Sequence, residues 1–402
     1  MNEPVDYLQI NLLGAAEQQR RLEKVRAGMR RDSIEHALVS SNANLYYLTG
    51  RVFRGYIYIN VATGSTPLYF LRAPLHLRGE GVNTIGRPAD IVPLLAETTC
   101  GAAGNVALEL EGLSYANAMR LARVFGLEAP AADISPALRA ARAVKTDAEI
   151  DMIRRSGLKQ VLVYQRIPHC YQEGMSDIEL QIEIERASRL EGCLGIFRCA
   201  GGEMEIYMGN VLTGANADTP SPYDFAMGGE GMSPSLPVGA NGTIIKPGAS
   251  VMVDMNGNYT GYMTDMTRCY CVGTPGEEAR RANALSADIC RALAAMMIPG
   301  TEAKTLYAKA EEMVRLAGMN AWFMGHRSHA GFVGHGVGIE INELPVISPR
   351  SRDILAKGNV IAIEPKFVIP GTGAVGIENT YVVGDNGGVL LTDAPEQIAQ
   401  LD

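Results

Sequence analysis

Residues 250–268 read Ser250-Val251-Met252-Val253-Asp254-Met255-Asn256-Gly257-Asn258-Tyr259-Thr260-Gly261-Tyr262-Met263-Thr264-Asp265-Met266-Thr267-Arg268. The run Val251-Met252-Val253 is the signature of a buried strand, and it ends on an acid, Asp254. A second acid, Asp265, follows eleven residues later. Asn256-Gly257 is the strongest local hairpin signal, but a two-residue loop there pairs Asp254 with Tyr259 and carries Asp265 well past it. A turn over residues 258–261 instead sets Asp254 directly opposite Asp265, and this register is the one expected. Directly opposed like charges destabilise a strand pair unless a cation sits between them.

The same geometry recurs downstream. Gly358-Asn359-Val360-Ile361-Ala362-Ile363 is a near-continuous apolar run that ends on Glu364. Pro370-Gly371-Thr372-Gly373 is a strong turn centred midway between Glu364 and Glu378, so a hairpin through it sets these two carboxylates opposite each other. Four carboxylates in one apolar place raise one another's pKa values and resist ionisation, and two divalent cations would cancel their charge. An imidazole is offered by His335 in Gly334-His335-Gly336-Val337-Gly338, where the glycines permit close backbone approach. A carboxylate-rich set with one histidine suits Mn, and also Co or Zn. Each acid alone is an ordinary salt-bridge partner or turn cap; two paired-acid hairpins and this histidine within one segment are far more specific.

Outward from this core, Thr146-Asp147-Ala148-Glu149 is a capping box that opens a long helix running toward Ile167. Two helical segments, 178–190 and 303–317, each follow a Gly-containing turn and stop just before Gly192 and Gly318, which suggests a faint internal duplication. The first 140 residues alternate strand-like stretches (37–40, 56–61, 67–71, 105–109) with helical ones, as in an α/β domain with a mostly parallel or mixed sheet. Residues 17–31 read as an amphipathic helix with a basic outer face. Residues 209–231 read as a long turn-rich loop.

Composition narrows the class. Hydrophobic residues make up 47% and charged residues 20% of the 402 positions, so wholesale disorder is excluded. A net charge of −8 without a Lys/Arg tract disfavours nucleic acid and anionic membranes as partners. No apolar run reaches transmembrane length and the first residues carry early acids, so neither a membrane span nor a targeting segment is expected. Seven cysteines, an odd number with no Cys-x-x-Cys, point to reduced thiols in a cytoplasmic protein; Cys269 and Cys271 are expected on one face of a strand.

At these residues the chain resembles the pita-bread metallopeptidases: Xaa-Pro aminopeptidase, Xaa-Pro dipeptidase (prolidase), methionine aminopeptidase and the related creatinase. Asp254, Asp265, His335, Glu364 and Glu378 match the metal pattern one for one, with matching flanks at residues 264–268, 334–340 and 362–365. Residues 44–50 look like the creatinase-type N-terminal domain, which points to the Xaa-Pro or creatinase branch, and residues 143–150 look like the linker into the catalytic domain. The resemblance implies an α+β architecture. Residues 142–402 would form a pita-bread domain with a pseudo-twofold repeat, and residues 1–141 an α/β creatinase-like domain before it. It also implies two divalent ions, Mn first and Co, Zn or Fe as alternatives, bridged by Asp265 and Glu378. Asp254 would complete one site, and His335 with Glu364 the other. A shared hydroxide would then cleave the N-terminal residue from Xaa-Pro peptides, in a homodimer.

The peptide-handling positions depart from the pattern. Asn342 and Pro237 stand where substrate-contacting histidines are usual, Gly331 where another histidine is common, and Gly376 where an arginine is frequent. Asn342 keeps a hydrogen-bond donor for a substrate carbonyl but no proton shuttle near neutral pH, and Pro237 has no side-chain donor. Asn342 and Pro237 are therefore the candidate substrate contacts. Asn342, His326 and His329 are the candidate catalytic groups, the two histidines reaching the site from another direction. The alternatives to a peptidase are a metal-dependent enzyme acting on another small amide, or a C–S or C–N lyase, and a non-catalytic binding module. Retention of all five ligands counts against the last, because unneeded buried carboxylates are costly.

Overall fold

The computed structural model describes residues 6–62, 64–72, 76–98, 105–201, 207–223 and 228–402. Cys100, residues 1–5 of the acidic start, Thr63 and residues 224–227 of the turn-rich segment lie outside them. The chain divides into two compact units, Met1–Arg142 and Ala143–Asp402.

The first unit carries helices α1 (Ala15–Arg31), α2 (Asn42–Thr49), α3 (Ile91–Ala96) and α4 (Tyr115–Val124), with α5 (Ser135–Ala143) at its end. Its strands are β1 (His36–Val39), β2 (Gly55–Asn60), β3 (Leu68–Arg72), β4 (Val82–Ile85) and β5 (Val106–Leu108). They form one mixed sheet in the order β4-β3-β2-β1-β5, with β1–β5 and β3–β4 parallel and the other pairs antiparallel. The polar β4, Val-Asn-Thr-Ile, has no alternation to betray it in the sequence. The basic face expected of α1 is not wholly outward. Arg21 and Arg26 are buried, because backbone carbonyls wait inside for their guanidinium groups: Arg21 donates to Tyr47 O at 2.9 Å and Arg26 to Asn60 O at 2.9 Å.

The second unit carries α6 (Asp147–Arg166), α7 (Asp177–Leu190), α8 (Glu277–Met296) and α9 (Ala303–Ala317). Its longer strands are β6 (Gly209–Thr213), β7 (Ser250–Asn258), β8 (Met263–Cys271), β9 (Gly334–Gly336), β10 (Glu343–Ile347), β11 (Val360–Ile363), β12 (Lys366–Ile369), β13 (Gly373–Gly376), β14 (Asn379–Gly384) and β15 (Gly387–Leu390); the short β16 (Ala399–Gln400) follows. Two sheets, β16-β8-β7-β6 and β10-β9-β11-β14-β15, flank the hairpin β12–β13. Thr146 and Ser176 cap α6 and α7 through full capping boxes. Gly318 ends α9 in a left-handed conformation at φ 69°.

The duplication is visible in matched backbone bonds. Ile245 N donates to Met175 O at 3.0 Å before α7, as Leu355 N donates to Thr301 O at 2.8 Å before α9. Asp177 N then bonds Thr243 O, and Ala303 N bonds Asp353 O, both at 2.9 Å. Each half thus opens its helix against the segment that leads into its acid-bearing strand.

The unbroken apolar run in β7 has a direct cause: both of its faces are buried. Val251 and Val253 pack with Tyr164, Leu180 and Ile184 on one side. Met252 packs with Ile289, Leu306 and Ile361 on the other. Residues two apart share a face, so Asp254 follows Met252. Residues 209–213 are not loop: β6 pairs along β7 with Asn210 opposite Asp254, and Val211 and Leu212 are buried. The six described cysteines are free; Cys269 and Cys271 are buried on β8. Among the described residues no helix is long and apolar enough to cross a membrane.

Helix α6 meets the sheet edge closely at Gly157, where a Cβ would stand 2.3 Å from Leu391 O. Gly157→Ala is expected to destabilise the chain by about 1–3 kcal/mol through this overpacking. A thermal melt checks it; an unchanged Tm would show that the helix can retreat.

Candidate metal centre

The hairpin β7–β8 turns over residues 259–262, with Asn258 opposite Met263, Asp254 opposite Thr267 and Asn256 opposite Asp265. The direct opposition of Asp254 and Asp265 expected above is therefore shifted by two residues. The two acids are diagonal neighbours on one face, still within reach of a common ligand. Helix α6 selects this turn. Tyr259 Oη donates to Gln160 Oε1 at 2.9 Å, Tyr262 Oη to Glu149 Oε1 at 2.9 Å, and Thr260 Oγ1 to Met152 O at 3.2 Å.

The second pair has the expected register. Ile363 faces Asn379 in one ladder and Lys366 faces Gly376 in the next, so Glu364 and Glu378 lie opposite each other in the gap between them. Pro365 has no N–H and cannot continue the ladder there. Ser286 of α8 fills the break: its hydroxyl donates to Pro365 O and accepts from Ile377 N at 2.8 Å. The freed backbone of Glu378 pairs with Thr267 of β8 at 3.2 and 3.3 Å, and Glu364 N bonds Val333 O at 2.9 Å. The interruption thus brings the second hairpin's acids onto the first hairpin.

Asp265, His335 and Glu378 offer ligand atoms within 4.8 Å of one another, and so do Asp254, Glu364 and Glu378. His335 Nδ1 lies 3.2 Å from Gly336 O, which fixes the ring and turns Nε2 into the cage, 3.2 Å from Glu364 Oε1 and 3.8 Å from Asp265 Oδ2. Thr267 Oγ1 donates to Glu378 Oε2 at 2.8 Å. Thr380 Oγ1 takes the Asp265 N–H at 2.9 Å and donates to Asp265 O at 2.8 Å. Glu378 Oε1 is buried without a hydrogen-bond partner. Arg268 is fully engaged behind the cage: it donates to Thr267 O, Glu378 O, Asn379 Oδ1, Ala394 O and Pro395 O at 2.8 to 3.0 Å.

Lys366, to which the sequence reading assigned no role, enters this cage. Its Nζ lies 2.7 Å from Glu364 Oε2, 2.8 Å from Asp254 Oδ2 and 3.0 Å from Glu378 Oε2, with its side chain 0% exposed. The signal was in the text: Glu364-Pro365-Lys366 puts acid and base two apart on an extended segment, hence on one face.

Charge in the cage is unevenly balanced. Burial opposes ionisation of Glu364, but Lys366 and the His335 hydrogen bond hold its carboxyl down at about 2. Burial and the Asp254 carboxylate push Asp265 up to about 7. Burial and Asp265 push Glu378 well above the carboxylate range. Burial works against the His335 imidazolium, yet its hydrogen bond with Glu364 carries it up to about 9. Lys366 and His335 thus offset the charge of Glu364 fully, but that of Asp265 and Glu378 only in part against burial and the neighbouring carboxylates. Asp265, His335 and Glu378, whose Oε1 has no hydrogen-bond partner, offer a donor set that would suit a divalent cation.

The other candidate residues sit differently. Asn342 is pinned to the backbone of Ala200: its Oδ1 accepts from Ala200 N at 2.7 Å and its Nδ2 donates to Ala200 O at 3.2 Å. Ile341 N bonds Arg198 O at 2.8 Å, so residues 198–200 are tied to residues 341–342. Burial, with the Glu340 and Asp265 carboxylates, pushes the Cys199 thiol of this segment up to about 12. His326 Nδ1 is 2.9 Å from Asp218 Oδ1 and His329 Nδ1 is 2.8 Å from Phe323 O. Both line a small cleft of about 50 Å³ with Asp218, Tyr223 and Val368. The cleft abuts the cage strand, since Met324 N bonds Lys366 O at 2.8 Å. Pro237 is half-buried in the turn before Val238, whose neighbour Gly239 bonds Gly228 O at 3.1 Å.

Known proteins give this geometry a context. Residues 151–385 match metallopeptidase family M24, and residues 21–144 match the creatinase/prolidase N-terminal domain. The chain is 27% identical over 385 residues to a Xaa-Pro dipeptidase of Pyrococcus furiosus, covering 94% of this chain and 99% of the relative. It is 26% identical over 390 residues to an uncharacterized peptidase, YqhT, of Bacillus subtilis, covering 94% and 99%. In fold it is similar to a Xaa-Pro dipeptidase from Bacillus anthracis, with TM-score 0.78 and 20% identity over 96% of this chain and 100% of that one. The prolidase from Pyrococcus horikoshii superposes with TM-score 0.74 at 23% identity, covering 93% and 98%. The chain belongs to metallopeptidase family M24 and is a hydrolase with the pita-bread fold behind a creatinase-type N-terminal domain.

Proposed function

We propose that this hydrolase cleaves short peptides with proline in the second position, using divalent metal. The observation that carries the reading is the convergence of Asp254, Asp265, His335, Glu364 and Glu378 in one buried cage with a carboxylate oxygen, Glu378 Oε1, left without a partner. The Xaa-Pro class is supported by the similarity to Xaa-Pro dipeptidases along nearly the whole chain. Asp265, His335 and Glu378 would hold the ion, which supplies Lewis acidity toward a scissile carbonyl. The chain's own groups set the stage. Thr267 and Thr380 fix the two carboxylates, His335 presents Nε2, and the Lys366 ammonium holds Asp254 and Glu364 in place. Asn342 acts as a positioning residue that holds the backbone of Ala200. Mn is the first metal to supply, with Co, Zn and Fe as comparisons.

A second reading, a metal-dependent enzyme acting on another small amide, is favoured by one observation: the Asn342 amide is spent on Ala200 on both its acceptor and donor sides. A panel of Xaa-Pro and Xaa-Ala di- and tripeptides separates the two. Turnover is expected with proline, falling about 10²-fold or more when alanine replaces it. No turnover of any peptide with each metal supplied would overturn the peptidase reading in favour of the second.

A further inference from the structure

We infer that Lys366 occupies one of the two cation positions of the cage, so that the chain takes a single divalent ion, at Asp265, His335 and Glu378. The inference rests on the metal-dependent reading above. It departs from the pair of ions expected from the sequence.

An ammonium carries three hydrogens, and Lys366 Nζ meets three carboxylate oxygens at 2.7, 2.8 and 3.0 Å, one each from Glu364, Asp254 and Glu378. These carboxylates are one of the two ligand groups in the cage. A divalent ion bound by the same oxygens at about 2.1 Å would fall inside the space of the ammonium and be repelled by it. The second group keeps an imidazole nitrogen and the unpartnered Glu378 Oε1. One divalent ion there, with Lys366, cancels three of the four negative charges of the cage.

The backbone is shaped for this lysine. Lys366 stands opposite Gly376 in the β12–β13 ladder. A Cβ at Gly376 would lie 2.8 Å from Lys366 Cγ and 2.9 Å from its Cα. The missing side chain is what lets the lysine stem pass into the cage. Lys366 N also meets Met324 Sδ at 3.4 Å, and Lys366 O takes the Met324 N–H, so the strand is held from outside the cage as well.

The test is metal content, read without turnover. The full chain is loaded with Mn or Zn, freed of excess, and measured by native mass spectrometry alongside Lys366→Gly. One equivalent in the wild type and two in Lys366→Gly is the expected result. Two equivalents in the wild type overturn the inference, as does no metal in the wild type with metal in the variant. No metal in either chain sinks the underlying metal-dependent reading instead. Should Lys366→Gly fail to fold, electron paramagnetic resonance of the Mn-loaded wild type decides alone. The hyperfine pattern of an isolated Mn ion supports one site, and an exchange-coupled pair overturns it.

Discussion

Asp265→Ala is expected to lower kcat/KM on an Xaa-Pro substrate by about 10³-fold while leaving the fold intact. The carboxylate is a ligand candidate beside His335 and Glu378. Its backbone does not depend on it: the N–H and carbonyl of Asp265 are both held by the Thr380 hydroxyl. Removing the carboxylate also relieves its repulsion with Asp254 and Glu378, which shows in the raised pKa values of Asp265 and Glu378. The metal-free Tm should therefore hold or rise. The Tm gain that metal gives the wild type, a linkage effect of binding to the folded state, should vanish. Paired activity and melting measurements check this. Retained activity, or a metal-induced Tm gain equal to that of the wild type, would remove Asp265 from the centre.

Arg268→Met is expected to destabilise the chain by on the order of 4 kcal/mol or more, whether or not metal is present. The guanidinium is 3% exposed and donates to carbonyls on three separate stretches of chain. Each buried acceptor left unpaired costs about 1–3 kcal/mol, and methionine can fill the volume but satisfy none of them. Arg268→Lys should recover little, because an ammonium cannot span the fork-shaped set of acceptors. Urea denaturation followed by circular dichroism measures it. A loss below about 1 kcal/mol would mean that water takes over the carbonyls, and Arg268 would then be no more than a surface tie.

How much of this was written in the sequence depends on what set each feature. The Glu364–Glu378 opposition was legible because the strong turn at 370–373 fixes its midpoint locally. The Asp254–Asp265 register was not, because helix α6, remote in sequence, selects the turn through Gln160, Glu149 and Met152. Arg21 and Arg26 read as solvent-facing because their acceptors, the carbonyls of Tyr47 and Asn60, belong to other elements. Lys366 is legible locally: strand periodicity alone places it on the face of Glu364. Arg268 flanks the metal pattern, but nothing local signals that acceptors from residues 378–379 and 392–395 converge on it. His326 and His329 share a cleft with Asp218, which lies over a hundred residues earlier, so only the fold shows what holds them.

The most direct measurement is anomalous diffraction from crystals of the whole chain soaked with Mn. The account predicts a single Mn peak in contact with Asp265, His335 and Glu378, with the Lys366 nitrogen still seated among Asp254, Glu364 and Glu378. A peak elsewhere, or none at saturating Mn, would contradict it.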